Sequence, residues 1–415
     1  MRNYSTIRII SAIAILIAVV AIQGCKGKPK KGVEVSPSKG RLVFGKPMPV
    51  GQSGNIMAPD SAMDNEGGIY ITYLVGYETL HRAFFVKSSD GGEKFSSATQ
   101  LSEKEGTKSL GITMDALDGS LYAIWANEDE IGRKLKYRES SDYGRNFTME
   151  QNFNIAREPG RWAIAGTPAK PLIFYTDNTD GNSTLKLNKG FDPDQEFILL
   201  SPGKYIAAVK TATGAKGDVY VLCVLRTASS TAGEFTLLHS PDGGENFTPY
   251  KIFTENPLPL YKNAIDIGLT NGDNGECLHL IWTERTQNGV RLMRSHTLEK
   301  DIKTWAAPEE IVATSDVANW LCSQPLLATD GGKRAVIVYA YLKPEPEKNY
   351  IMAYRFSDDE GVTFQGEATA TEEIAAPEII TGALSLAGTL HIAWDDEDHG
   401  NVGQRRVFYV RGMMR

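Results

Sequence analysis

Short stretches of alternating apolar and polar residues recur along the chain at steps of 48 to 59 residues. Each stretch ends in an aromatic residue or, once, in a cysteine, and most follow a turn that contains glycine, such as 118–119. Alternation with a period of two predicts half-buried β-strands. The residues that close the seven stretches are Tyr73, Trp125, Tyr175, Cys223, Trp282, Tyr339 and Trp394.

A second pattern recurs in register with these strands. It consists of a serine, an aspartate two residues later, a glycine two residues after that, and then a phenylalanine three residues further on. Serine and aspartate side chains bond nearby backbone amides and glycine adopts a positive φ, so the pattern predicts a hairpin turn. The four copies are Ser88, Asp90, Gly92 and Phe95; Ser140, Asp142, Gly144 and Phe147; Ser240, Asp242, Gly244 and Phe247; and Ser357, Asp359, Gly361 and Phe364.

Two further copies are incomplete. Asp192 and Phe197 keep the spacing without the serine and glycine, and Asp301 and Trp305 lie four residues apart.

The turn pattern resembles the Asp-box, Ser-x-Asp-x-Gly-x-x-aromatic, of the sialidase (BNR) repeat. Four copies in register make this resemblance specific. A repeat of this length indicates a propeller or a solenoid. The resemblance implies an all-β fold, a β-propeller of four-stranded antiparallel blades, in which the Asp-box residues have a structural role and their aromatic residues pack between sheets.

The last repeat is shorter than the others. After Trp394 the chain supplies one more strand, over 405–411, and ends at Arg415, where an Asp-box would begin. The apolar segment 41–45 precedes the first repeat and has no other assignment. An N-terminal strand that completes the last blade would close the ring without an open edge. We therefore expect a seven-bladed propeller over 41–415, with six blades, as in sialidase-family enzymes, as the alternative.

The first 24 residues are typical of a signal peptide. They carry Arg2 and Arg8, no acidic residue, and an apolar run over 9–22 that is too short for a membrane span. The sequence Ile-Gln-Gly-Cys at 22–25 resembles the lipobox of bacterial lipoproteins, which implies that Cys25 carries the lipid. An uncleaved N-terminal anchor is the alternative. Residues 25–40, rich in lysine, proline and glycine, predict a tether. We expect a lipid-anchored, exported protein of the bacterial cell envelope, at the outer membrane or cell surface.

Composition and charge limit the fold class and the kinds of partner that this chain can have. The 40 glycines and 19 prolines suit many short strands and tight turns. Without Arg2 and Arg8, the 44 basic residues fall to 42 against 51 acidic ones, and this net charge of −9 argues against a nucleic-acid partner.

Cysteine and histidine usage predicts neither a disulfide scaffold nor a metal site. If Cys25 is lipidated, three cysteines remain, Cys223, Cys277 and Cys322, and an odd number cannot all pair. A disulfide between Cys277 and Cys322 is still compatible with the sequence. The histidines have no metal-ligand spacing, so no cofactor is expected. Calcium at the acidic run 395–398 is the one alternative.

The resemblance implies that a ligand binds on the face opposite the Asp-box turns, where the loops after the second strands meet. These loops begin with aromatic residues and continue with acids, a combination that sugars and cationic peptides favour. The alternative is that the rings belong to the core and the acids are solvated. The candidate ligand-binding residues are Trp125, Glu128, Trp282, Glu284, Arg285, Trp394, Asp395 and Asp396.

The catalytic set of the family is incomplete in this sequence. Sialidases hold the substrate carboxylate with three arginines, one of them in an Arg-Ile-Pro motif, and attack with a tyrosine activated by glutamate while an aspartate serves as acid/base. Arg-Ile-Pro is absent here, and Arg41 and Arg82 lie in other positions. We expect a non-catalytic module that binds a glycan or an envelope or surface protein, with a diverged exo-glycosidase, of the exo-α-sialidase type, as the alternative. The candidates in that case are Arg161, Arg226, Glu284 and Arg285.

Overall fold

The computed structural model describes residues 42–415 except 78–79, 104–107, 118, 130–131, 154–158, 167–169, 179–181, 228–229, 231, 254–259, 273–274, 299–300, 313–319, 348 and 398–402. This part of the chain is all-β, and its residues form strands and turns without a helix. It accordingly has no helix with the length and apolarity of a membrane span. The expected signal peptide, the lipid-bearing Cys25 and the tether lie outside the described residues.

Each sequence repeat folds into an antiparallel sheet in which consecutive strands pair. After the short β1 (Leu42–Phe44), repeat one contains β2 (Met48–Met63), β3 (Ile69–Tyr77), β4 (Leu80–Ser88) and β5 (Thr99–Gln100). Repeat two contains β6 (Lys108–Leu117), β7 (Ser120–Asp129), β8 (Gly132–Ser140) and β9 (Gln151–Phe153). Repeat three contains β10 (Pro159–Gly166), β11 (Pro171–Asp177), β12 (Thr184–Lys189) and β13 (Glu196–Leu200).

The remaining repeats follow the same order. Repeat four contains β14 (Tyr205–Thr213), β15 (Val219–Arg226), β16 (Glu234–Ser240) and β17 (Thr248–Ile252). Repeat five contains β18 (Leu260–Gly272), β19 (Gly275–Thr286), β20 (Gly289–Leu298), β21 (Asp301–Trp305) and β22 (Glu309–Val312). Repeat six contains β23 (Leu326–Thr329), β24 (Ala335–Leu342), β25 (Tyr350–Ser357) and β26 (Ala368–Thr371). Repeat seven contains β27 (Ile380–Leu384), β28 (Thr389–Glu397) and β29 (Arg405–Met414).

The N-terminal strands pair with the last strand of the chain. One edge of β29 pairs with β28, and its other edge pairs with β1, where Val43 lies opposite Met413, and with the first part of β2, where Val50 lies opposite Val407. From Asn55 onward β2 pairs with β3 instead. Repeats seven and one therefore share one eight-stranded sheet.

The first strands of successive repeats lie beside one another. In order, β2 contacts β6, β6 contacts β10, β10 contacts β14, β14 contacts β18, β18 contacts β23, β23 contacts β27, and β27 contacts β2. The series thus returns to the strand at which it began. We call the end of the sheets at which first strands turn into second strands the lower end, and the opposite end the upper end.

The seven residues that close the predicted strands lie in the hydrophobic core. All of them are on second strands and have 0% exposed surface. Several polar atoms of the buried rings have partners, although the Trp125 Nε1–H has none. The Trp282 Nε1–H donates to Glu284 Oε1 at 2.8 Å, and the Tyr339 hydroxyl donates to Glu367 Oε2 at 2.6 Å.

Four turns at the lower end, which we call the Ser–Asp turns, share one set of hydrogen bonds. In the first, Ser88 Oγ donates to Asp90 Oδ1 at 2.8 Å and accepts from the Gly92 amide at 2.9 Å. The Asp90 carboxylate also accepts from the amides of Glu93 and Lys94, both at 3.0 Å. The turns that begin at Ser140, Ser240 and Ser357 repeat the serine bonds.

The phenylalanine of each Ser–Asp turn packs against the preceding repeat. Phe95 meets Tyr409 with ring centroids 4.9 Å apart, and Phe147 meets Phe85 at the same distance. Phe364 lies under the Arg294 guanidinium at 4.9 Å. Each turn therefore couples two sheets as well as two strands.

Repeat three departs from the sequence expectation. Phe197 is 43% exposed on β13, where the Lys189 ammonium lies 5.1 Å above its ring. The inter-sheet position belongs to Phe191, which stacks on Tyr137 of repeat two at 3.8 Å. Spacing from Asp192 misidentified the ring because the serine and glycine that set the length of the turn are missing.

The three described cysteines, Cys223, Cys277 and Cys322, are buried, and none of them forms a disulfide. The bridge between Cys277 and Cys322 that the sequence left open is therefore not formed.

We expect Gly92→Ala to destabilise the protein far more than Gly91→Ala. Both glycines have a positive φ, but residue 91 corresponds to Tyr143 and Glu360 in other turns, which adopt this conformation with side chains. A Cβ on Gly92 would overlap the Tyr409 hydroxyl. Strain and overpacking together predict a loss of about 2–5 kcal/mol for Gly92→Ala against about 1 kcal/mol for Gly91→Ala. Urea unfolding measures both, and equal losses would refute the coupling of the sheets through this turn.

We also expect stability to fall as the pH decreases from 7 to 5 because of two buried histidines. Burial lowers the pKa of His279 to about 3, with His296 and Arg294 adding to the effect, and lowers the pKa of His391 to about 4, with Arg411 adding to it. Below about pH 6.5 the histidines of the unfolded chain bind protons that the folded protein does not bind, so the folded state loses stability as the pH falls. Above about pH 6.5 the contribution of these histidines to stability is complete.

The test is the slope of melting temperature against pH. A double variant, His279→Asn with His391→Asn, should show a shallower fall than the wild type between pH 7 and pH 5. An unchanged slope would mean that other groups cause the acid sensitivity.

Candidate functional site

A cavity of about 610 Å³ lies among the first strands, and we call it the central cavity. Its wall is formed by residues of β2, β10, β14, β18, β23 and β27, together with the residues that lead into β23 and β27. This volume is in the usual range of small-molecule sites. The polar and aromatic side chains in its wall are Asp60, Ser61, Arg161, Trp162, Lys210, Thr211, Asp266, Ser323, Gln324 and Thr381.

The two carboxylates of the central cavity bind backbone and hydroxyl donors. Asp266 Oδ2 accepts from the Leu327 amide on the neighbouring strand at 2.9 Å, and Oδ1 accepts from the Ile267 amide at 3.1 Å. Asp60 Oδ1 accepts from the Ser61 amide at 2.9 Å and from the Thr381 hydroxyl at 3.2 Å. Both carboxylates therefore join the first strands of adjacent repeats or fix the backbone beside them.

These bonds follow from the position of the first strands. A first strand pairs with its second strand on one side only, so the backbone groups on its inner edge need other partners. Side chains supply several of them: Thr211 donates to the Ile164 carbonyl at 2.7 Å, and Asp115 accepts from the Ala116 amide at 2.8 Å and from Gly166. Burial raises the pKa of Asp115 to about 7, and it also raises the pKa of Asp266.

Two cations and one indole complete the cavity wall. Arg161 is exposed near the start of β10, at the upper end, and Trp162 beside it is half-buried. The Lys210 ammonium lies 3.9 Å from Asp266, at the limit of an ion pair, and its side chain keeps 28% of its surface exposed. The cavity therefore offers charged donors and an aromatic ring, which can bind hydroxyl, carboxylate or sulfate groups and the face of a sugar.

The tryptophans predicted to contact a ligand lie outside the central cavity. Trp125, Trp282 and Trp394 have no exposed surface and do not line the central cavity, so they are packed as core residues, as the alternative interpretation held. Glu284 is also buried, between the Trp282 indole and the Arg291 guanidinium, whose Nη2 lies 2.8 Å from Oε2.

Asp395 and Asp396 hold the segment that leads into β27. The Asp396 carboxylate accepts from the amides of Ala375 and Ala376 at 2.9 and 2.8 Å. Asp395 accepts from the Ile379 amide and pairs with Arg405, both at 2.9 Å. These bonds occupy the oxygens that a calcium ion would need. Within the described residues no group of three histidine, cysteine, aspartate or glutamate side chains is arranged to hold a metal, and Asp398 lies outside them.

The remaining candidates are at the surface. Glu128 and Arg285 are exposed on their strands, and Glu128 lies 3.9 Å from Arg133. Of the residues selected from sequence, Arg161 alone lines the central cavity.

Sequence reasoning missed Asp60, Lys210, Asp266 and Gln324. A usable signal was present, because Asp266 interrupts the otherwise apolar run 264–267 of a strand.

Arg226 is unusual among the half-buried arginines of the described chain. Its Nε and Nη2 have no exposed surface and no hydrogen-bond partner, and burial lowers the pKa of this guanidinium. Arg405, by contrast, bonds Asp395 and the carbonyls of Ala376 and Asp395. Two buried guanidinium nitrogens without partners oppose folding, because they lose their hydration without compensation.

Several tyrosines of the described chain bond a glutamate, but none of them lines the central cavity. Tyr175 bonds Glu196, and Tyr339 bonds Glu367. Neither tyrosine has exposed surface or lines the central cavity. Burial and the adjacent carboxylate raise the pKa of both hydroxyls, which keeps them neutral and poorly nucleophilic.

We expect Arg226→Met to stabilise the protein by about 1 kcal/mol, because it removes an uncompensated charge and keeps the volume. Arg405→Met is the matched control and should cost about 3–5 kcal/mol, since it leaves the buried Asp395 carboxylate without its cation. Urea unfolding of both variants gives the comparison. A loss at position 226 as large as at 405 would show that Arg226 has a partner in solution.

No protein-family model and no curated protein matches this chain, but solved structures resemble it. An ulvan lyase, a polysaccharide lyase solved with GlcA(1-4)Rha3S bound, has a TM-score of 0.59 at 9% identity, over 87% of this chain and 95% of that one. A protein of unknown function from Dyadobacter fermentans has a TM-score of 0.54 at 11% identity, over 90% and 99%.

The α-L-arabinofuranosidase of Fusarium graminearum, solved with an iminosugar inhibitor, has a TM-score of 0.50 at 11% identity, over 76% of this chain and 98% of that one. Sialidases also occur among the similar structures, at TM-scores of 0.46 to 0.48 that support no argument. At these identities the likeness concerns the fold alone. This chain is therefore folded like β-propellers that act on carbohydrates.

Proposed function

We propose that this chain is a lipid-anchored, exported, seven-bladed β-propeller that binds a glycan in its central cavity without cleaving it. The proposal of seven blades in a closed ring is supported by the first strands, whose contacts run through seven repeats and return to β2. Its closure by the N-terminal strand rests on the pairing of β1 and β2 with the open edge of β29, which removes an exposed edge.

The observation that carries the glycan proposal is the composition of the central cavity. Arg161 and Lys210 provide charged donors, Gln324 provides an amide, and Trp162 provides an aromatic surface in a space of about 610 Å³. Sugars are recognised by such a combination of polar groups and ring faces. Two of the structural neighbours, the arabinofuranosidase and the ulvan lyase, are carbohydrate enzymes, and the lyase holds a glucuronyl-rhamnose ligand.

The hydrogen bonds of the acidic side chains favour binding without cleavage. Glycoside hydrolysis uses two carboxylates placed across the scissile bond. In the central cavity Asp60 and Asp266 accept bonds from the strands that they hold in place. The buried tyrosine–glutamate pairs and the absence of Arg-Ile-Pro from the sequence favour the same conclusion.

A diverged exo-glycosidase is the second candidate, and one observation favours it. The pKa of Asp266 is raised by burial, and the charge of Asp60 adds to this rise. A buried carboxyl with a raised pKa beside a second carboxylate is an arrangement that an acid/base mechanism can use.

Anchoring is proposed from the sequence. The lipobox-like residues before Cys25 and the signal peptide predict a lipoprotein, so the propeller is held at the cell envelope, at the outer membrane or cell surface. A glycan of that surface, or a glycan-bearing envelope protein, is the ligand we propose.

We expect Arg161→Ala to weaken glycan binding by about tenfold or more, since a charged hydrogen bond contributes about 1.5–3 kcal/mol. The full chain is screened on a glycan array, and the bound oligosaccharide is then titrated calorimetrically. Arg285→Ala is the control, because this arginine is exposed outside the central cavity and should leave affinity unchanged. Equal affinity of the wild type and Arg161→Ala would refute the cavity as the binding site.

The same protein is assayed on fluorogenic sialosides and other exo-glycosides beside a heat-killed sample. No turnover is expected. Turnover that Asp266→Asn abolishes would replace the binding proposal with the exo-glycosidase.

A further inference from the structure

The large apolar side chains that are well exposed gather at the lower end of the sheets. This holds for each of those whose side-chain exposure the structure describes. They are Val43, Met149, Phe197, Ile198, Leu298, Val362, Leu386 and Met413.

Each of these residues belongs to a lower connection or lies beside one. Leu386, 76% exposed, is in the turn between β27 and β28, and Val362 is in the Ser–Asp turn of repeat six. Met149, 80% exposed, lies between β8 and β9, and Leu298 ends β20 just before β21. Phe197 and Ile198 open β13, directly after the connection from β12. Repeats two, three, five, six and seven all contribute to what we call the lower rim.

The chain that precedes the described residues joins the domain at this rim. Leu42 lies opposite Met414, near the end of β29, and Met413 lies opposite Thr389, the first residue of β28. Val43 and Met413 are therefore adjacent, and both are exposed. Cys25, which is expected to carry the lipid, is 17 positions before Leu42 in the sequence, and Leu42 is at the lower end of the domain.

We propose that the lower rim rests on the lipid bilayer, with these apolar side chains in contact with its interface. Apolar side chains gain from leaving water, and an interface accepts them when an anchor holds the domain beside it. Arg161 and Gln324, which line the central cavity, lie near the upper starts of β10 and β23, at the end of the strands away from the lower rim. This proposal rests on the lipid anchor of the proposed function and gives it an orientation.

Charge does not explain this surface, because the Ser–Asp turns at the lower end mix exposed acids with exposed bases. Glu93 and Lys94 lie side by side in the first of them. The apolar contact should therefore survive salt that screens surface charges.

Depth-dependent fluorescence tests the proposal on the full lipidated chain. An environment-sensitive dye is placed at Leu386→Cys or Val362→Cys, and at Arg285→Cys as the control near the upper end. The native thiols are buried and resist labelling. The chain is bound to phosphatidylcholine vesicles with and without bromine on the acyl chains.

We expect quenching by the bromolipid to be roughly threefold stronger at 386 and 362 than at 285, at low and at high salt, because contact with acyl chains requires insertion. Quenching no stronger at 386 and 362 than at 285 would overturn the proposal. The double variant Leu386→Asp with Met413→Asp should reduce quenching at 362, and its melting temperature should match the wild type because both side chains are exposed.

Co-sedimentation separates this inference from the anchor on which it rests. The full chain should sediment with vesicles, and Cys25→Ser should sediment much less. Failure of the full chain to sediment would overturn both the anchor and the docked rim. Sedimentation through Cys25 without quenching at 386 or 362 would overturn the rim alone, and glycan affinity would be unaffected in either case.

Discussion

The inner edges of the first strands impose the constraint on which the rest of the structure depends. A strand that pairs on one side leaves amides and carbonyls on the other, and these cannot stay unpaired beside a packed core. Here side chains of neighbouring repeats supply the partners. Asp266 accepts a bond from the Leu327 amide, and Thr211 donates to the Ile164 carbonyl. Thr381 also donates to Asp60 of the adjacent repeat. Neighbouring repeats are thereby joined at the place where their first strands contact one another.

This solution shapes the chemistry of the central cavity. Its carboxylates face the space where a ligand would lie, yet their oxygens already accept bonds from the ring. Their electrostatic effect on a ligand is therefore reduced, and Arg161 and Lys210 are left as the cations that face it. The same residues cannot easily hold the ring and exchange protons with a substrate, which is why a binding role fits this cavity better than catalysis.

The two ends of the sheets differ in the contacts that they contain. At the lower end the Ser–Asp turns lock each sheet to the one before it, as Phe95 does against Tyr409, and the N-terminal strands join the last sheet to the first. Rigid turns at that end can carry exposed apolar residues such as Leu386 without unfolding. Near the upper end Arg161 lines the central cavity.

The sequence by itself determined the strands, the turns and the number of repeats, because these depend on period-two alternation and on local bonds such as Ser88 to Asp90, which involve near neighbours. It also named the buried column that includes Trp125 and Trp394, but it could not separate core from ligand surface, since an aromatic ring suits both. Only the tertiary structure decided that Trp282 is enclosed, that Phe191 and not Phe197 packs between sheets, and that Asp60, Lys210 and Asp266 meet around one cavity. The physical reason is that burial and the partner of a charged group depend on residues from other repeats that are distant in the chain, as Thr381 is from Asp60, 321 positions earlier.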